Sequence, residues 1–221
     1  MALQPTTPTT LPSLKLFYSP GACSFVPHVA LCEANLPVET ILARVGSMSA
    51  EFTAINPKRR VPVLAIDNEI ITEMSAVLTA IHTLAPQANL FGKSTMETIR
   101  VYEWLNYLST VAHAQAVGSI WRTERFTNNT EHYGSIKARG MEVVQEVYAN
   151  IEGHINERER MFAVGEGLTV VDPFFVVLYC WGFRLGIEMG ANYPAYKAYA
   201  ERLLTRESFR KAREVHVDIS V

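Results

Sequence analysis

The 221-residue chain reads as an α/β unit in the order β-α-β-α-β-β-α, followed by an all-helical bundle. Three observations predict this. Residues 14–85 alternate short β-branched or aromatic runs with apolar stretches at helical spacing. Breaks at Asn35-Leu36-Pro37, Asn56-Pro57, Asp67-Asn68 and Ala85-Pro86 divide that region into short elements. From residue 95 onward strand signals cease and long segments of period 3.6 take over.

Each element has its own warrant. Leu14-Lys15-Leu16-Phe17-Tyr18 is the first strand. A helix over 24–34 keeps Val26, Val29, Ala30 and Leu31 at helical spacing. Residues 38–43 form a second strand, and the polar stretch 47–55 a brief helix. Strands over 61–66 and 69–72 are joined by two turn-forming residues, Asp67-Asn68, and so read as a β-hairpin. A helix over 73–84 closes the unit. This order requires a mixed sheet with helices on both faces. Residues 86–94 are the expected linker, and 95–221 an all-helical domain with helices over 95–123, 131–158, 170–186 and 194–204. The Pro- and Thr-rich residues 1–13 lack the basic and apolar regions of a signal peptide and are expected to be a disordered leader.

Composition narrows the function. Hydrophobic residues make up 48% and charged residues 19%, with a net charge of −2, so neither nucleic acid nor an anionic membrane is an expected partner. No apolar stretch is long enough to span a bilayer. The cysteines, Cys23, Cys32 and Cys180, show no metal-ligand spacing and no disulfide framework. A reducing, cytoplasmic setting without a bound metal is expected.

The junction Ser19-Pro20-Gly21-Ala22-Cys23-Ser24 carries the chemistry. Pro20 and Gly21 make the turn, and Cys23 is expected on the first turn of the following helix. Free amides and the macrodipole there would bias the thiol towards thiolate, although free cysteine is also a common small core residue. The residues leave both readings open. Val26 stands three places on, so no resolving dithiol exists. Val61-Pro62 follows the basic run Lys58-Arg59-Arg60; by itself the bond is expected to be trans.

Tyr18-Ser19-Pro20-Gly21-Ala22-Cys23-Ser24, in this two-part organisation, resembles the glutathione transferases, and among them the bacterial beta class. The resemblance continues in Pro27-His28, in Asn56-Pro57-Lys58 leading to Val61-Pro62-Val63-Leu64, and in Thr72-Glu73. It extends through Glu103-Trp104-Leu105-Asn106-Tyr107-Leu108 and Leu168-Thr169-Val170-Val171-Asp172, and so spans about 14 to 215. It implies a thioredoxin-like first half with glutathione as co-substrate and no metal. Cys23 and His113 would be the catalytic pair. Tyr18, Val61, Pro62, Glu73, Met74 and Asn106 would bind glutathione, with Pro62 in cis and the Val61 backbone pairing with the tripeptide like an added strand. Glu73 would meet the γ-glutamyl ammonium. Asn106 and His113, seven residues apart, would share one face of an α-helix. Thr169 and Asp172 would form the capping box of a buried helix, with Asp172 structural. His28 reads as a packing residue.

Met74 stands where the superfamily often has serine, Ala114 where the beta class has lysine, and 44–50 is shorter than the family stretch; Arg44 or Arg59 is the nearest substitute cation. Three functions follow. The first is conjugation of glutathione to a small hydrophobic electrophile; the second is monothiol exchange through Cys23; the third is a non-catalytic binding module. Trp121, Arg122, Arg125 and Phe126 suit an aromatic substrate with an anionic group. A homodimer is also implied, and the apolar Met74, Val77, Leu78 and Ile81 of the third helix look like more than one packing face needs.

Overall fold

The computed structural model describes residues 11–157 and 159–219. The expected leader lies outside the described residues over 1–10. The first half holds a four-stranded sheet in the order β2-β1-β3-β4, with β1 Leu14–Tyr18, β2 Glu39–Leu42, β3 Val63–Ile66 and β4 Glu69–Thr72. β1 runs parallel to β2 and antiparallel to β3, and β3 is antiparallel to β4. The hairpin register sets Ile66 opposite Glu69. Asp67 takes the left-handed conformation (φ 52°) that a two-residue turn of this kind demands.

Helices cover both faces of the sheet. α2 (Ala50–Ile55) starts later than expected, where the Ser49 hydroxyl accepts from the Phe52 N–H at 3.2 Å. It places Phe52 on a small cluster with Phe17, Val61 and Val63. On the other face lie α1 (Phe25–Glu33) and α3 (Met74–Leu84). α1 is apolar all round because it is enclosed on two sides: Phe25, Val26, Val29 and Leu31 are fully buried between the sheet and the helical half. Val77, Leu78 and Ile81 of α3 are also fully buried, and Met74 packs on the same core. The surplus that suggested an interface on α3 is therefore spent inside the protomer.

The helical half departs from expectation where it matters most. Residues 95–123 do not form one α-helix. α4 (Thr95–Tyr107), opened by a capping box of Ser94 with Glu97, gives way to a π-helical segment, Leu108–Val117. A short α5 (Gly118–Trp121) follows, and its first amide, that of Gly118, donates back to His113 O. α6 (Tyr133–Asn156) and α7 (Val171–Arg184) lie within a few residues of expectation. α7 is buried from Val171 to Gly182. α8 (Met189–Asn192), α9 (Pro194–Leu204) and α10 (Glu207–Arg213) complete the half. Between the halves, Leu90 and Phe91 are buried, and Leu90 O accepts from Val170 N at 3.0 Å, so this connection is pinned to the start of α7.

Asp172, fully buried in the first turn of α7, accepts four hydrogen bonds. They come from Thr169 N (2.6 Å), Thr169 Oγ1 (3.0 Å), Ala163 N (2.8 Å) and the Tyr199 hydroxyl. The carboxylate thus ties the loop before α7 and α9 to one point. Burial nonetheless raises its pKa above the ordinary aspartate range, against the pull of these donors.

Candidate active site

The turn after β1 is built from its own side chains. Ser24 Oγ accepts from Ser19 N (3.1 Å), and Ser19 Oγ accepts from Val45 N (3.1 Å). Gly21 adopts φ 64°, and its carbonyl accepts Trp181 Nε1 (2.8 Å) and Arg184 Nη1 (3.2 Å) from α7. Cys23 therefore sits on a turn braced by the helical half, two residues ahead of α1, not on its first turn. It is 7% exposed, and its thiol donates to Val61 O at 3.4 Å. The amides of Cys23 and Ser24 favour the thiolate, but burial outweighs them and pushes the thiol up to about 12. The expected thiolate bias is overturned: without ligand Cys23 is a neutral S–H donor.

Two adjoining cavities meet at this turn. The smaller, about 170 Å³, is lined by Cys23, Val61, Pro62, Glu73, Met74 and His113, among others. Val61-Pro62 is cis, as the resemblance implied and the residues alone did not. At the start of α3, Glu73 takes φ 72° and pairs with Lys58 Nζ at 2.5 Å. Ser109, from the π-segment, lines the same cavity with a buried hydroxyl that has no partner among the described residues. The larger cavity, about 450 Å³, shares Cys23, Val61 and His113 and extends to Trp121, Phe126 and Trp181.

His113 stands where the cavities join, its ring 5.2 Å from that of Trp181. Burial, with the charges of Arg60 and Arg125, lowers its pKa to about 4, so the imidazole is neutral near pH 7. Asn106 does not join it. With i→i+5 bonding between the two positions, a spacing of seven no longer spans two helical turns, and Asn106 is exposed and lines neither cavity. Tyr18 is displaced too: its ring lies against His216 at 5.0 Å, on the side of the sheet end facing the C-terminal segment. Sequence reasoning missed Ser109, Arg60 and Arg184. Residues drawn from several distant segments converge only through tertiary packing, and an isolated serine in a helix carries no signal of its own.

A mixed sheet of this topology, a cis-proline facing a cysteine turn, and a helical half closing over both define a thioredoxin-like domain with an appended bundle. Family models agree. Residues 21–84 match the glutathione S-transferase N-terminal domain and residues 123–207 the C-terminal domain. The chain belongs to the glutathione S-transferase family. It is similar to a beta-class glutathione S-transferase from Sphingomonas chungbukensis (28% identity, 92% of this chain and 98% of that one, TM-score 0.76). A sphingomonad glutathione S-transferase complexed with glutathione gives 28% identity over the same shares, at TM-score 0.77. Glutathione S-transferase GstA of Escherichia coli O157:H7 is 24% identical over 90% of this chain and 96% of its own.

Proposed function

We propose that the protein is a glutathione transferase that joins the glutathione sulfur to an electrophilic carbon. The observation that carries this reading is the convergence of Cys23, cis Val61-Pro62 and the start of α3 on one cavity that opens into a second. In this reading the tripeptide lies in the smaller cavity. Its cysteinyl backbone pairs with Val61, its γ-glutamyl ammonium meets Glu73, and its γ-glutamyl carboxylate meets the amides at the α3 N-terminus. The unpartnered Ser109 hydroxyl supports a polar occupant there. Met74 itself offers only a backbone donor at the α3 start, while the Ser75 side chain also lines this cavity.

The chemistry follows from the charges. Once the tripeptide takes the Val61 carbonyl, the neutral Cys23 S–H is released to donate to the glutathione sulfur. The positive field of Arg60 and Arg125 stabilises that thiolate, and its proton leaves to solvent because His113, depressed by burial and then by the same two charges, is a weak base here. The sulfur attacks the electrophilic carbon, the C–S bond forms, and the leaving group departs with its bonding pair as an anion. Monothiol exchange at Cys23 is disfavoured by its raised pKa.

Retention on immobilised glutathione together with turnover of 1-chloro-2,4-dinitrobenzene tests the reading. Absence of calorimetric glutathione binding would leave a non-catalytic binding module. A homodimer belongs to the same proposal. Its support comes from α4, where Met96 and Ile99 are 59% and 52% exposed one turn apart. Sedimentation should return about twice the 24.7 kDa chain mass; a monomer that binds glutathione would remove the dimer alone. Among the described residues no helix is long and apolar enough to cross a membrane, and the three cysteines are free. A reducing cytoplasm is the compartment that suits such thiols.

A further inference from the structure

The larger cavity has an unusual charge. Six arginines line it: Arg44, Arg59 and Arg60 from the sheet half, and Arg122, Arg125 and Arg184 from the helical half. Among the described residues no carboxylate lines it, and none of the six has an acidic side chain within salt-bridge distance. Glu124 lies beside Arg125 in sequence, and Asp218 sits behind Gly21, but neither forms a wall of the cavity. The arginines act on one another: burial, and after it the charges of Arg60 and Arg122, lower the pKa of Arg125. Like charges held together around a concave surface focus a positive potential into it.

Glutathione does not account for this surplus. The tripeptide carries two carboxylates and one ammonium, and the α3 start and Glu73 already take the γ-glutamyl pair. One carboxylate, on the glycyl end, remains for a cation, and Arg60 of the sheet half lines both cavities. Arg122, Arg125 and Arg184 line the larger cavity alone, from its helical wall. The same wall supplies flat apolar surface. Trp121 and Trp181 meet edge to face at 5.2 Å, Phe126 is 49% exposed, and the Arg184 guanidinium lies 4.7 Å from the Trp121 ring centre.

We infer that the second substrate is an aromatic electrophile bearing a carboxylate or sulfonate, its ring against Trp121, Trp181 and Phe126 and its anion held by Arg122 and Arg125. This names the substrate class for the proposed transferase site, and rests on that reading only for glutathione as the attacking partner. Guanidinium groups suit the task because their fixed donor fork matches planar carboxylate and sulfonate oxygens. It refines the expected small hydrophobic electrophile: the body is apolar, but one end is charged.

The test separates the two claims. Calorimetry is run on the full chain with S-methylglutathione, which fills the tripeptide site and cannot react. 4-Chloro-3,5-dinitrobenzoate is compared with the neutral 4-chloro-3,5-dinitrobenzamide. The benzoate should bind at least tenfold tighter at low salt, and the ratio should fall several-fold in 0.5 M NaCl. An Arg122→Gln/Arg125→Gln double variant should bring the ratio close to one, whereas Arg122→Lys should retain most of it. Equal affinities in the parent protein, or a preference that survives the double substitution, would overturn the inference. If S-methylglutathione fails to bind while the benzoate preference holds, the transferase reading falls and the anion site stands.

Discussion

Replacing Asp172 with alanine should unfold the helical half at a markedly lower temperature without altering what the folded protein binds. The substitution strips the acceptor from two backbone amides, Thr169 N and Ala163 N, and from the Thr169 and Tyr199 hydroxyls, at a site with no solvent exposure. A buried donor left without a partner costs about 1–3 kcal/mol. The hydroxyls can rotate to other acceptors; the amides cannot. Two orphaned amides therefore cost about 2–6 kcal/mol, and removing the desolvated carboxylate, whose raised pKa marks its own penalty, offsets part of that. A net loss of about 3 kcal/mol corresponds to a Tm drop of roughly 6–12 °C for a chain of this size. Asp172→Asn should recover less than half, because its NH2 must face at least one N–H or O–H that itself needs an acceptor. Differential scanning calorimetry measures the drop, and glutathione affinity well below Tm checks the site. An unchanged Tm with lost activity would refute the structural role.

Three other outcomes are expected. With Cys23 pushed up to about 12 and Cys32 to about 11, iodoacetamide at pH 7.5 should alkylate each more slowly than free cysteine; mass spectrometry showing rapid labelling of Cys23 would contradict the neutral thiol. Burial lowers His28 to about 4 and His216 to about 3, so below pH 6.5 the unfolded chain binds protons the native state does not, and stability falls as pH drops. Each such histidine removes about 1.4 kcal/mol per pH unit in that window, and His216→Leu should flatten the slope between pH 6.5 and 4 in urea titrations; an unaltered slope would clear His216. Gly21→Ala should cost about 1–2 kcal/mol for the positive φ alone. Its methyl would also come within 2.8 Å of Asp218 Cβ and 3.0 Å of Arg184 Nη1, so both Tm and glutathione affinity should fall; a variant with parental values would show the turn to be tolerant.

What the residues reveal by themselves is chiefly local. Short β-branched and aromatic runs located all four strands, Asp67-Asn68 located the hairpin, and helical periodicity located α9. The end of β1 and the turn after it were legible for the same reason, since Pro20 and Gly21 punctuate it. The state of Cys23 was not. Helix-start position argued for thiolate, but burial in a core built from both halves of the chain decides the matter, and no local pattern encodes that. The π-segment was equally hidden, because its composition supports a 3.6-period reading and only the Gly118-to-His113 bond reveals the wider winding. α10 lies beyond the region where helical spacing was traced, although Glu207 and Lys211 pair across one turn at 2.7 Å. The arginine-lined cavity draws on five separate stretches of chain; the sequence singled out Cys23, Val61, His113 and the Trp121 to Phe126 portion, but no local pattern joins them into one wall with Arg60 and Arg184.

The bond from Trp181 to the Gly21 carbonyl has a consequence for how the chain comes into being. At about 5–20 residues per second, the 160 residues separating these partners take roughly 8–32 s to synthesise. Once β4 has been made the sheet half can pair its strands, but for the rest of that interval α1 lacks α7 and α10, and its outer apolar side stays wet. The cysteine turn acquires its brace only when the nascent chain has grown past residue 181. A ribosome-bound fragment ending before α7 should therefore carry an ordered sheet and a sticky, unfinished glutathione cradle.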